Sequence, residues 1–188
     1  CNSEIKNYDG ALRIYDKLLK IIEKDNNIED ICLTYLNILQ IYMDINNKSK
    51  AIEYYNILSK HLDGIDENSP SLSKILYNLS DFYLYINDKE AVEKTLNNAL
   101  FLANKHKNNV MFTQILLKLI DLFSTNEQFE KMISLIESYE NEINRILLNE
   151  NNKIVLKILH HLLEYNCDYT KNLINKLLLE KEEDTYET

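Results

Sequence analysis

The chain has 188 residues, 45% of them hydrophobic, with two Gly, one Pro and a formal charge of −9. So few turn-forming residues exclude a typical sheet protein and point to helices joined by short corners. The negative balance and the lack of clustered Lys and Arg exclude direct nucleic-acid binding by this chain, because phosphate contacts draw on cations.

No apolar run reaches the roughly 18 residues of a membrane span. Cys1, Cys32 and Cys167 show no CxxC spacing and no accompanying His pattern, so they read as reduced thiols of a cytoplasmic protein.

The first segment, residues 8–24, has apolar residues at Ala11, Leu12, Ile14, Tyr15, Leu18, Leu19, Ile21 and Ile22. Their i, i+3, i+4, i+7 spacing predicts a helix. Ile5 and Asn7 precede Ala11 as Ile45 and Asn47 precede Ala51. Residues 1–4 are therefore expected to be the last turn of an earlier helix, with the first repeat truncated. The alternative is a lipoprotein anchored through Cys1.

After a polar corner at residues 25–27, a helix is expected over 28–45, a turn at Asn46 and Asn47, and a helix over 49–62. Asp63 and Gly64 should end it, with Gly64 as a left-handed cap. Ser69 and Pro70 predict an N-cap and first helical residue, opening a helix over 70–86. Asn87 and Asp88 turn the chain into a helix over 89–105, and residues 106–109 form a loop. Further helices are expected over 110–123 and 127–148, then 152–165 and 169–181, before an acidic tail. Residues 1–188 thus read as one domain with hairpins at 28–62, 70–106, 110–148 and 152–183.

Two spacings give a repeat. Ala11, Ala51 and Ala91 open successive second helices at intervals of 40 residues (51−11 and 91−51). Tyr42, Tyr83 and Phe123 lie near the ends of first helices at intervals of 41 and 40 (83−42 and 123−83). A two-helix unit with a period near 40 predicts an all-α, right-handed α-solenoid in which each hairpin buries its apolar face against its neighbours.

The repeat resembles the tetratricopeptide repeat (TPR). The family pattern lies on Tyr35, Ile38, Leu39, Tyr42, Ala51, Tyr55 and Leu58, then on Leu76, Leu79, Ser80, Tyr83, Val92, Leu96 and Ala99, with Ala91 one residue out of register. A third copy uses Leu119, Ile120, Phe123, Met132, Ile136 and Tyr139, and a fourth is placed on Tyr165 and Ile174. The enlarged period is similar to that of the peptide-sensing regulators of Gram-positive bacteria, the Rap, NprR and PlcR type. That resemblance implies a peptide-binding helical domain that controls a helix-turn-helix DNA-binding domain, absent from this chain, or a partner protein.

The TPR resemblance also implies a concave groove lined by the position five residues before each aromatic anchor. Those positions are Asn37, Asn78, Lys118 and, in the fourth copy, His160. An Asn amide both donates and accepts, which suits it to a peptide backbone, and a following cation suits a carboxylate near one end. Gln40, Lys74, Tyr77, Asp81, Gln114 and Asp121 are the expected neighbours. Tyr42, Tyr55 and Tyr83 read as packing groups, and Tyr54, Tyr77 and Tyr85 as candidates for a binding surface.

No catalytic residue, metal site or cofactor is expected. His160 and His161 point apart on a helix, His61 and His106 lie near helix C-termini, and no phosphate loop, HExxH or GxSxG occurs. The expected function is non-enzymatic binding of a peptide or protein segment; the alternative is a scaffold or adaptor, and homodimerisation is open.

Overall fold

A computed structural model describes residues 2–143, with side chains from residue 8. The regular elements named among them are all helices: α1 (Asn2–Ile22), α2 (Ile28–Asp44), α3 (Lys48–Leu62), α4 (Leu72–Tyr85), α5 (Lys89–Lys105), α6 (Asn109–Thr125) and α7 (Phe129–Ser138). The chain divides into two units, Cys1–Met111 and Phe112–Thr188. The boundary falls in the first turn of α6. The expected hairpin at 152–183, with His160, lies outside the described residues.

One corner design recurs. Asn46, Asn87, Lys107 and Glu127 each take a left-handed backbone angle, with φ between 53° and 62°. The next residue donates its N–H to the carbonyl five positions behind, which closes the helix: Asn47 to Tyr42 at 2.8 Å, Asp88 to Tyr83 at 2.9 Å, Asn108 to Ala103 at 2.9 Å and Gln128 to Phe123 at 2.8 Å. Three of these residues also cap the following helix. Asn47 accepts from the Lys50 N–H, Asp88 from that of Ala91, and Asn108 from that of Met111, at 3.0 to 3.1 Å. A helix can therefore end and the next begin across three residues, because one residue closes the first with its backbone N–H and caps the second with its side chain.

The structure departs from the sequence expectations at several ends. α1 is continuous from Asn2, so the corner expected at residues 5–7 does not form. Lys6 stands where Asn46 turns the chain, and Lys is the better helix former. Gly64 has no positive φ; the cap of α3 is Asp63 in the right-handed region. What Gly64 supplies is space, since an added Cβ would come within 3.0 Å of Ile28 Cδ1.

α4 starts at Leu72 rather than at Pro70. Ser69 instead stabilises the preceding turn. It is buried, its hydroxyl donates to Glu29 Oε1 and it accepts from the Ser71 N–H at 3.1 Å. Hydrogen bonds from the Ser69 and then the Ser71 side chain hold the Glu29 carboxyl below its ordinary value. α7 is interrupted after Ser138; residues 140–143 are helical again, and the remainder of the helix expected to 148 lies outside the described residues. Tyr139, with φ −121° and ψ 25°, breaks it where its ring meets Phe112 edge-on at 5.4 Å.

In the first unit, α2 packs along α3, α4 along α5, and α1 and α4 both lie against α2. Ala51, Val92 and Met132 occupy equivalent places, each four residues after its N-cap, and all are fully buried. The ruler that used Ala91 is corrected accordingly: Ala91 is only half-buried. Ala51 and Val92 are 41 residues apart (92−51), matching the 41 between Tyr42 and Tyr83. The second unit buries Phe112, Ile115, Leu116, Leu119, Ile120 and Phe123 of α6 and Met132, Leu135 and Ile136 of α7. Lys131 Nζ lies 5.8 Å from the centre of the Phe123 ring.

Candidate peptide-binding face

Within the first unit the 41-residue offset pairs positions on two neighbouring helices, α2 and α4. Asn37 pairs with Asn78, and Gln40 with Asp81. Asn37 is exposed although Leu36 and Ile38 on either side are buried. Asn78 is half-buried beside buried Leu79. An interior helix position disfavours Asn, so two of them in one register, each with water access, are not explained by helix stability.

The surrounding groups make this face polar. Lys74 lies one turn before Asn78 and is exposed; Asp81 lies three residues after it and is half-buried. Tyr77 is half-buried, and its phenol is raised above its ordinary value by burial and then by the charge of Asp81. Gln40 donates from Nε2 to Asp44 Oδ1 at 2.8 Å along the exposed surface of α2. The face therefore presents amide, ammonium and carboxylate groups at i, i+3 and i+4 spacings along two adjacent helices. It can offer hydrogen bonds to an extended backbone and charges of both signs to its side chains.

Gln114, Lys118 and Asp121 share one face of α6 in the second unit, with Gln114 exposed and the other two half-buried. The structure thus places Asn37 and Gln40 on α2 and Lys74, Tyr77, Asn78 and Asp81 on α4, the helix packed against it, while His160 lies outside the described residues.

The tyrosines need one correction. Tyr54 belongs to packing rather than to a binding surface. Its ring stacks on Tyr42 at 5.1 Å and is tilted against Tyr35 at 6.2 Å, and burial pushes its phenol up to about 12. Periodicity could have indicated this, because Tyr54 and Leu58 are one turn apart and Leu58 was already a repeat anchor. Tyr55 stacks on Phe82 at 4.4 Å, and its hydroxyl lies 3.0 Å from that of Tyr83, in keeping with packing roles for both. Tyr85 donates to Asn46 Oδ1 at 3.1 Å, which ties the end of α4 to the α2–α3 corner.

Cys32 is fully buried, and its thiol is raised to about 11 by burial and by Glu29, so it is a poor nucleophile at neutral pH. Among the described residues no group of three or more His, Cys, Asp or Glu is arranged to hold a metal ion. No described helix is long and apolar enough to cross a membrane.

No protein-family model and no curated protein matches the chain. Solved structures do resemble it. A kinesin light chain of Podospora anserina with nearly identical TPR-like repeats aligns over 97% of this chain and 91% of its own, with 13% identity and a TM-score of 0.66. BtubC from P. vanneervenii aligns over 95% of this chain and 73% of its own, again with 13% identity and a TM-score of 0.66. MamA aligns over 99% and 95%, with 25% identity and a TM-score of 0.53. With a helical hairpin repeated at a constant register and these structural likenesses, the fold is that of TPR-like repeats, an architecture suited to protein interaction.

Proposed function

We propose that the chain is a non-enzymatic binding module that takes an extended peptide or protein segment along the α2 and α4 face. The observation that carries this reading is the equivalence of Asn37 and Asn78. Both are accessible amides in mid-helix, one repeat apart on adjacent helices, each beside a buried leucine. Lys74 and Asp81 add charges of opposite sign around Asn78, which favours a ligand with both a carboxylate and a cationic group.

Selecting binders from a peptide library and measuring their affinity for the Asn37→Ala, Asn78→Ala double variant tests the site. Two amide hydrogen bonds at about 1 kcal/mol each correspond to a loss of roughly 30-fold in Kd. Unchanged affinity with native helicity would remove the site from the proposal.

The finer reading is that the bound peptide acts as a signal, as in regulators of the Rap, NprR and PlcR type. The repeat period near 40 and the Asn pair support it. Signalling requires the ligand to shift a conformational equilibrium, so peptide binding should change hydrogen exchange in helices beyond α2 and α4. Protection confined to those two helices would speak against a sensor and for a static adaptor.

A further inference from the structure

We infer that the outer face of α5 is a self-association surface, on which α5 of a second copy of this chain lies antiparallel. The inference is independent of the α2 and α4 face. It starts from Phe101, which is 61% exposed. The core uses the opposite side of α5, where Val92, Leu96, Ala99 and Ala103 are fully buried, so this ring contributes little to the fold.

The repeat leaves this place to water. The offsets that match Val92 to Ala51 and to Met132 carry Phe101 onto Lys60 of α3 and onto Asn141, just beyond α7, and both are exposed. Each described hairpin therefore faces solvent here, and only α5 puts an aromatic ring in the position.

The residues that share the stripe select the occupant. Glu90, Lys94, Asn97, Asn98, Phe101 and Lys105 are all exposed and recur at i, i+4, i+7, i+8, i+11 and i+15. With 3.6 residues per turn they occupy about a third of the helix circumference. Reversed about the midpoint between Asn97 and Asn98, the stripe matches itself. Glu90 meets the partner's Lys105, Lys94 meets the partner's Phe101, and Asn97 meets the partner's Asn98. A carboxylate faces an ammonium, an ammonium faces a ring and an amide faces an amide. A two-fold axis makes each contact twice, and antiparallel helices also oppose their dipoles favourably.

The neighbouring hairpins lack this match. On α3, Lys60 replaces the ring, and Glu53, the counterpart of Lys94, already pairs with Lys50 at 2.9 Å. On α7 the corresponding places hold Glu130, Ser134 and Glu137, with no cation. Lys105 donates to Asn68 Oδ1, and an ammonium with three donors can hold the partner's Glu90 as well. One pair of helices buries less than the roughly 1,200 Å² at the low end of standard interfaces, so the dimer is a weak one.

Sedimentation equilibrium of the full chain tests this, with an expected monomer–dimer Kd on the order of 100 µM. Phe101→Asn, which installs the residue found beyond α7, should weaken the dimer about tenfold. Glu90→Lys and Lys105→Glu should each weaken it severalfold, because each sets like charges opposite one another twice. Mixing those two variants should restore dimerisation, since every such pair is then of opposite sign. Circular dichroism should show native helicity in all of them. Absence of association, association indifferent to Phe101→Asn, or failure of the mixed variants to pair would each overturn the inference. So would Phe101-dependent binding of an oligoglutamate peptide by a chain that stays monomeric, which would give the face a different occupant.

Discussion

The α2–α3 and α4–α5 hairpins share one corner and have two different cores. Both turn through an Asn in the left-handed region followed by a capping Asn or Asp. Between the helices, however, α2–α3 places Leu39 and Leu58 where α4–α5 has Ser80 and Ala99, and all four are essentially fully buried. Tyr54 and His61 of the first hairpin likewise correspond to Thr95 and Leu102 of the second. Two buried leucines in one hairpin thus stand where the other has a serine and an alanine. The register therefore resides in the corners, while the filling of each interface is a matter of matched volume.

Exchanging the fillings should damage both hairpins, for opposite reasons. Leu58→Ala leaves a cavity among Leu39 and the tyrosines and is expected to cost about 2–5 kcal/mol. Ala99→Leu overfills the tighter interface and should cost about 1–3 kcal/mol. Urea unfolding of each variant measures both. Equal, small effects would mean that the two interfaces differ less than their residues suggest.

The shared corner predicts a smaller and more uniform response. Asn46→Ala and Asn87→Ala should each cost about 1 kcal/mol because Ala is strained at positive φ, with Asn46→Ala costing somewhat more because it also loses the Tyr85 hydrogen bond, and the Gly variants should cost less. A large difference between the two positions in the same unfolding measurement would show that the corners are not interchangeable.

The smallest effect should appear only in alkali. The phenols of Tyr54, in α3, and Tyr83, in α4, are raised, chiefly by burial. A group with a raised pKa in the folded state contributes stability that is complete below its unfolded value, near pH 10, and is lost as pH rises toward the folded value. Thermal melts should therefore fall between about pH 10 and 12. Tyr54→Phe should flatten part of that fall through the α2–α3 hairpin, and Tyr83→Phe the part arising at the Tyr55–Tyr83 contact. A fall unchanged by both substitutions would place the alkaline sensitivity elsewhere.

Much of the fold was legible because its signals are local. Scarcity of Gly and Pro, the 3.6-residue spacing of apolar side chains, and the pairs Asn46–Asn47 and Asn87–Asp88 each act within a few residues of where they stand. From those came the helices of both central hairpins and the two-helix period. The candidate site was legible as a position, because a constant offset places Asn37 and Asn78 alike whatever surrounds them. Their water access and the adjacency of α2 and α4 are properties of packing.

Only the tertiary structure decided the features that depend on distant neighbours. Gly64 proved to make room for Ile28 rather than to adopt a special backbone angle, and Ser69 proved to bond Glu29, 40 residues away, rather than to cap α4. Tyr54 looked available for binding until its stacking on Tyr42 placed it against the core. Periodicity specifies which residues lie on one face, since it follows from the geometry of a single helix. What that face meets is set by how helices pack, and packing is a relation between segments that no single stretch of sequence contains.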